Sequence, residues 1–190
     1  MDPHNPYVLP DDLPAPADDG AADHLEGVAI PKLSLPATSG ESIDLLSAAQ
    51  GTLVLYCYPR TGRPGEPLPP GWDEVPGARG CTPQACAFRD SFTELEGLGA
   101  SVLGLSAQPL EDQLELATRV ALPYPILSDP QLELAEALRL PTFEIAGMRL
   151  YRRLTLIARH GRVVKVFYPV FPPDRNAAEV VAWLSGATSG

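Results

Sequence analysis

The sequence of 190 residues is poor in cysteine and in basic residues, and it lacks any long apolar run. Three cysteines allow at most one intramolecular disulfide bond, which excludes a fold held by a disulfide framework. Fourteen Lys and Arg against 24 Asp and Glu give a net charge of −10, so no basic stripe is available for nucleic acid. No apolar segment approaches the roughly 18 residues that span a bilayer, and we expect no membrane partner.

The N-terminal sequence lacks a recognisable export signal. "MDPHNPYVLPDD" has neither the positive start nor the apolar stretch of a secretory peptide, so we expect a cytoplasmic protein, in which cysteines are more often catalytic or metal-binding than structural. Residues 1–26 contain five prolines and no Lys or Arg, a composition that buries too little apolar surface to order itself. We predict a flexible tail or an arm at 1–26, one domain at 27–186 and a short C-terminal tail at 187–190.

Within the domain, strand patterns alternate with helix patterns. "TLVLYCYP" (52–59) and "SVLGLSA" (101–107) are almost continuously apolar, which is typical of strands buried on both faces. The other predicted strands are 42–46, 124–127, 152–158 and 163–170, and the predicted helices are 81–98, 109–122, 129–140 and 174–184. This order predicts an α/β fold with a mixed central sheet flanked by helices.

A long Pro- and Gly-rich segment separates the first buried strand from the helix that follows it. It runs from residue 60 to residue 80, and loops of this length inside a compact domain are usually functional or mobile. Trp72 within this insertion loop either covers a pocket as a lid or anchors the loop to the surface.

Two of the three cysteines lie close together in "GCTPQACAFRD" (80–90), where a helix begins. Free amides and the helix dipole at such a position favour an anion, here the thiolate of Cys81. Capping preferences place Thr82 at the N-cap and Pro83 at the first helical position. Five helical residues separate Cα atoms by about 9 Å, whereas a disulfide allows roughly 7 Å. A bond between Cys81 and Cys86 would therefore require this turn to unwind.

Tyr58 and Pro59, followed by "GCTPQACAFRD", resemble the peroxiredoxins, and most closely the bacterioferritin comigratory protein or peroxiredoxin Q subfamily. The similarity continues from about Gly27 to Leu184, in the family's order. It passes through "GVAIPKLSLPATSGESIDL", "GASVLGLSAQP", "PYPILSDP" and "RRLTLIARHGRVVKVF". The resemblance implies a thioredoxin fold and an antioxidant thiol-dependent peroxidase that works in cell redox homeostasis without a cofactor.

The resemblance also implies a mechanism. Cys81 matches the peroxidatic cysteine, which attacks hydrogen peroxide or an organic hydroperoxide and becomes a sulfenic acid. Cys86 matches the resolving cysteine, which forms a redox-active intramolecular disulfide (atypical 2-Cys) that a thioredoxin-like dithiol protein reduces. Neighbouring strand residues face opposite sides, so only one of Arg152 and Arg153 can point at Cys81. The position of the family's site arginine within the matching motif selects Arg153. We expect a monomer or a weak dimer.

The segment before Cys81 departs from the family pattern, which is Pro, three residues, Thr, two residues and Cys. Pro59 and Gly80 match positions that border the peroxide site, but the insertion loop separates Pro59 from the cysteine. Ala78 stands where the threonine that helps to hold the peroxide belongs. Thr61, near the start of the loop, is the candidate to replace it.

Two other functional classes stay open on the residues alone. A thioredoxin-like disulfide oxidoreductase would normally carry Cys-x-x-Cys, which is missing here. A metal-binding thioredoxin-fold module could hold Cu(I) between two cysteines and a distant histidine, although the spacing is not a standard ligand pair. His4, His24 and His160 show no recognisable ligand spacing, so we expect no metal. Cys57 lies in an apolar strand and is predicted to be an inert core thiol.

Overall fold

The computed structural model describes residues 5–10 and 12–187, and a five-stranded sheet lies at its centre. The strands in the described chain are β1 (Ser34–Pro36), β2 (Ser42–Asp44), β3 (Thr52–Cys57), β4 (Ala100–Ser106), β5 (Ile126–Ser128), β6 (Thr142–Ile145), β7 (Met148–Tyr151), β8 (Leu154–Arg159) and β9 (Arg162–Phe167). The α-helices are α1 (Leu45–Ala48), α2 (Cys81–Asp90), α3 (Phe92–Gly97), α4 (Leu110–Arg119), α5 (Glu133–Leu138) and α6 (Asn176–Ala187). Short 3₁₀ helices span Trp72–Glu74 and Pro173–Arg175.

The central sheet is mixed, as the sequence predicts, and its strands lie in the order β5-β4-β3-β8-β9. β3 pairs in parallel with β4 and antiparallel with β8, while β8 and β9 form the predicted hairpin. Alternate side chains of β3 enter opposite cores, since Leu55 lies in one apolar cluster and Tyr56 lies in the other. Burial on both faces explains why this strand is apolar throughout.

Helices cover both faces of the sheet. One apolar cluster includes Leu45 of α1 and Leu134 of α5. The other includes Phe88 of α2, Leu116 of α4 and Val180 of α6. Because α2 follows the strand β3, its first residue lies near the carboxyl end of β3, where the parallel strands of an α/β sheet present their functional groups.

Several predicted elements differ from those observed. The predicted helix at 81–98 is divided at Ser91 into α2 and α3, and the predicted strand at 152–158 begins at Leu154, so that Arg152 and Arg153 lie just before β8. The predicted strand at 42–46 ends at Asp44, whose carboxylate accepts the N–H of Leu46 at 3.1 Å and begins α1. The predicted helix at 129–140 begins only at Glu133. Asp129 nevertheless acts as its cap, because its two oxygens accept the N–H groups of Glu133 and Leu134 at 2.9 and 3.0 Å.

A second hairpin, β6–β7, was not predicted, and it explains the position of the insertion loop. Trp72 is only 3% exposed, and it packs with Phe143 of β6 and Leu150 of β7. Trp72 is therefore an anchor for the loop rather than a lid. The hairpin's strands read as short and mixed in polarity, so their pairing depends on contacts with a loop far away in sequence.

Part of the segment predicted as a tail lies against the domain. Leu25 is fully buried in the core, and Asp19 Oδ1 accepts the Tyr168 hydroxyl at 2.8 Å. Packed chain therefore begins before residue 27, while the flexibility of 1–26 as a whole stays a prediction. Residues 1–4 and 188–190 lie outside the described residues. No helix in the described parts of the chain combines the length and apolar character needed to cross a membrane.

Candidate active site

Cys81 is the first residue of α2, two residues earlier than capping preferences suggest. The predicted N-cap at Thr82 is wrong because Gly80 takes that position in a left-handed conformation, with φ of +94°. The Gly80 carbonyl accepts the N–H of Gln84 at 3.0 Å, which closes the first turn. Cys81 thus lies at the positive end of the helix dipole, as the sequence predicts.

Arg153 lies beside the sulfur of Cys81. Its Nη2 atom is 3.1 Å from Cys81 Sγ, although the two residues are separated by 72 positions in the chain. Both residues are only 3% exposed, so little solvent screens the guanidinium from the sulfur. Arg152, the alternative in the sequence, is half-buried and makes no such contact.

The other partners of Arg153 are neutral oxygens. Its Nη2 donates to the carbonyls of Gly77, Ala78 and Arg79 at 3.3, 3.3 and 3.0 Å, and its Nη1 donates to Gln84 Oε1. Within residues 5–10 and 12–187, no carboxylate lies at ion-pairing distance from this arginine. The guanidinium therefore faces the Cys81 sulfur without a competing carboxylate among the described residues.

Gln84 links the site to the rest of the fold, and sequence reasoning missed it. It is fully buried, and its Nε2 donates to Asn176 Oδ1 at 3.0 Å at the start of α6. Asn176 Oδ1 also accepts the Thr155 hydroxyl at 2.6 Å. A signal for Gln84 was present, because residues three apart on a helix share a face and Gln84 stands three after Cys81.

Cys86 lies in the middle of α2 and is half-buried. Burial raises the pKa of its thiol above the ordinary value, while the nearby Arg89 guanidinium opposes that shift. All three cysteines are free thiols. Since both Cys81 and Cys86 are helical, the separation of about 9 Å expected from helix geometry applies to this state.

The structure does not bring Thr61 to the sulfur. Its hydroxyl and backbone N–H both donate to Gln108 Oε1, at 3.2 and 2.8 Å, instead of facing Cys81 or Arg153. Ala78 contributes its backbone, because its carbonyl accepts from Arg153 and lies 3.6 Å from Cys81 Sγ. A carbonyl on the insertion loop thus occupies the neighbourhood where the family places a threonine.

The remaining predicted residues lie in different surroundings. Pro59 lines a small cavity that also reaches Arg153. Cys57 is fully buried, and burial together with the Asp129 carboxylate raises the pKa of its thiol far above the ordinary value. Cys57 is therefore a core thiol that is poorly suited to react as a thiolate. No group of three His, Cys, Asp or Glu side chains suited to a metal ion occurs in the described part of the chain.

Gly80→Ala is expected to destabilise the protein by about 2–5 kcal/mol, from left-handed strain together with overpacking. A Cβ at this position would lie 2.4 Å from Pro173 Cγ and 2.6 Å from Leu9 Cδ2. Gly40→Ala is the matched control, because Gly40 has φ of +92° and open space around its Cβ position. Denaturant unfolding of the two variants measures the difference, and equal losses for both would contradict the predicted clash.

Comparisons with known proteins agree with this geometry. The family model described as Redoxin matches residues 25–182. A relative from Arabidopsis thaliana, "Peroxiredoxin Q, chloroplastic", is 29% identical over 162 residues, covering 85% of this chain and 68% of its own length. The relative of the same name from Suaeda salsa is 29% identical over 159 residues, covering 84% and 67%.

Solved structures show the same similarity. The peroxidoxin BcpB of Mycobacterium tuberculosis superposes with a TM-score of 0.70 at 27% identity, covering 86% of this chain and 98% of its own. Peroxiredoxin Q of Xanthomonas campestris shares the fold, with a TM-score of 0.68 at 24% identity over 86% and 96% of the two chains. The central sheet and its helices therefore form a thioredoxin fold.

The chain belongs to the redoxin family. Within that family it is a peroxiredoxin of the bacterioferritin comigratory protein or peroxiredoxin Q type, and hence a thiol-dependent peroxidase. The resemblance stated from the sequence is confirmed. The particular roles of its cysteines and of Arg153 are a separate question, which the geometry of the site addresses.

Proposed function

We propose that Cys81 is the peroxidatic cysteine and that it reduces hydrogen peroxide and organic hydroperoxides. The observation that carries this proposal is the 3.1 Å contact between Arg153 Nη2 and Cys81 Sγ at the start of α2. The thiolate attacks one peroxide oxygen, the O–O bond breaks, and the leaving hydroxide or alkoxide takes a proton to become water or alcohol. Cys81 is left as a sulfenic acid.

Arg153 serves this step in two ways. Its positive charge favours the thiolate before the reaction, and it stabilises the negative charge that develops on the leaving oxygen. Four neutral oxygens, three of them backbone carbonyls of the insertion loop, hold the guanidinium in position. An arginine fixed in advance needs little reorganisation when the charge develops.

Cys86 is proposed to resolve the sulfenic acid. Its thiolate attacks the Cys81 sulfur, hydroxide leaves, and a disulfide forms, so that two thiols and one peroxide yield one disulfide and two water molecules or one water and one alcohol. The sulfurs can meet only after the first turns of α2 unwind, since a disulfide needs Cα atoms within roughly 7 Å. Half-burial of Cys86 leaves that side of the helix within reach of a second protein.

A thioredoxin-like dithiol protein is the proposed reductant. Its thiolate attacks the Cys81–Cys86 disulfide, and a second thiol releases the mixed disulfide, which restores both cysteines. We also propose that Pro59 and Gly80 border the peroxide site and that the chain is a monomer or a weak dimer. The candidate role of Thr61 in holding the peroxide is not part of the proposal, because its hydroxyl and N–H both donate to Gln108.

One equivalent of hydrogen peroxide, added to the reduced protein, tests the scheme. Intact-mass spectrometry is expected to show the loss of two hydrogen atoms, and peptide mapping is expected to show a bond between Cys81 and Cys86. The Cys57→Ser variant, whose change lies at the inert core thiol, should give the same product. A persistent sulfenic or sulfinic acid in the wild type would remove Cys86 from the mechanism, and an unreacted Cys81 would remove the peroxidase assignment of that residue.

A further inference from the structure

Residues 5–10 and 12–19, here termed the N-terminal arm, are fastened to the domain at two separate places. At one end, the Tyr7 ring lies 5.3 Å from the guanidinium carbon of Arg119 on α4. At the other end, the Asp19 carboxylate accepts the Tyr168 hydroxyl at 2.8 Å, just after β9. The described parts of the arm between these points run over the segment that precedes Cys81.

The arm touches the backbone of that segment at two glycines. A Cβ built on Gly80 would lie 2.6 Å from Leu9 Cδ2, and one built on Gly77 would lie 3.3 Å from Pro16 Cγ. Residues 77–79 are the ones whose carbonyls hold Arg153. The arm therefore packs directly on the loop that forms the outer wall of the active site.

Pro16 also lines the cavity beside Arg153, together with Pro59 and Gly77. This cavity has a volume of about 20 Å³, which is little more than the 10–15 Å³ of centre-accessible space that one water molecule needs. Cys81 and Arg153 are each only 3% exposed. The cavity is lined by Arg153 and not by Cys81 itself, and Arg153 Nη2 lies 3.1 Å from Cys81 Sγ. An oxidant that approaches the sulfur from the guanidinium side therefore meets this cavity while the arm is in place.

We propose that the N-terminal arm sets the size limit for the oxidant. With Pro16 in place, the cavity admits hydrogen peroxide and excludes hydroperoxides with bulky alkyl groups, which react only after the arm moves away. The inference rests on the proposed peroxidase role of Cys81 and narrows its substrate class. Pro16 acts here as a specificity-determining residue contributed by a segment outside the thioredoxin fold.

The test compares second-order rate constants for Cys81 oxidation by hydrogen peroxide and by tert-butyl hydroperoxide in the full chain. Removing methylene groups from a pocket wall changes discrimination by about 10- to 200-fold, so Pro16→Ala is expected to lower the ratio of the two constants at least tenfold. The ratio, rather than either constant alone, is the quantity to compare, because Pro16 itself lines the cavity that both oxidants meet. Pro14→Ala, in the same arm but outside the cavity wall, is the matched control and should leave the ratio unchanged.

Releasing both fastenings provides a second variant. Tyr7→Ala combined with Asp19→Ala should also lower the ratio, since it frees the arm while Pro16 is retained; it also releases the hydroxyl of Tyr168, which lines the cavity. Equal rate constants for the two oxidants in the wild type, or an unchanged ratio in Pro16→Ala and in the double variant, would overturn the size limit and leave the peroxidase role standing. Failure of wild-type Cys81 to react with hydrogen peroxide would overturn both.

Discussion

Arg153→Met is expected to slow the oxidation of Cys81 by hydrogen peroxide about 100- to 1,000-fold, the usual effect of removing one donor that stabilises a developing negative charge. Among the residues that the structure describes, this guanidinium is the only cation that touches the sulfur, and its own partners are neutral oxygens. The substitution therefore removes both the charge that favours the thiolate and the donor for the leaving oxygen. Stopped-flow mixing with hydrogen peroxide measures the rate constant.

Two comparison variants serve as controls for this prediction. Cys81→Ser provides the zero level, because serine has no thiolate and should not consume peroxide. Arg159→Met removes a cation from β8 that bonds Thr52 at 3.1 Å on another part of the sheet, and it should react normally. A wild-type rate in Arg153→Met would contradict the assigned role.

Cys86→Ser is expected to abolish the intramolecular disulfide while leaving the first oxidation of Cys81 within about twofold of the wild-type rate. Serine cannot attack a sulfenic acid, so the oxidised protein should accumulate as sulfenic acid and then as sulfinic acid under excess peroxide. Steady-state peroxide turnover with a thioredoxin-like dithiol should fall in Cys86→Ser, because the disulfide that this reductant attacks is no longer formed. Mass spectrometry and a coupled turnover assay measure the two effects.

The pH dependence of the wild type separates resolution from the first step. Burial raises the pKa of Cys86 above the ordinary thiol value, so at neutral pH this residue is mostly the neutral thiol. Raising the pH increases its thiolate fraction, and the rate of disulfide formation should therefore increase from pH 7 toward pH 9. A disulfide rate that stays constant over this range would show that unwinding of α2, rather than ionisation of Cys86, limits the resolution step.

The features that the sequence could predict are local ones. The apolar run of β3 indicated burial on both faces, because alternate residues such as Leu55 and Tyr56 enter different cores. Cys81 could be assigned to a helix start because a loop rich in Gly and Pro precedes a helical apolar pattern. Arg153 could be selected over Arg152 because strand neighbours face opposite sides and the matching motif fixed the register.

The features that could not be predicted depend on contacts between distant residues. The hairpin β6–β7 is stabilised by Trp72, some seventy residues earlier in the chain. The arm has a disordered composition, yet Leu25 just beyond it is fully buried. Thr61 lies near the start of the loop, as the sequence shows, but its hydroxyl donates a hydrogen bond to Gln108 on another segment. Tertiary packing determines these contacts, and local residue patterns do not predict which distant residues meet.

The neutral surroundings of Arg153 have a consequence for the timing of the cycle. In the proposed cycle, the attacking Cys81 thiolate becomes an uncharged sulfenic acid, and the negative charge beside the interior guanidinium of Arg153 is then lost. Stranding a buried charge in this way costs about 3–5 kcal/mol in other proteins. Oxidation of Cys81 would thus weaken the first turn of α2 at the step in which Cys86 must approach. The helix would stay intact until a sulfenic acid has formed.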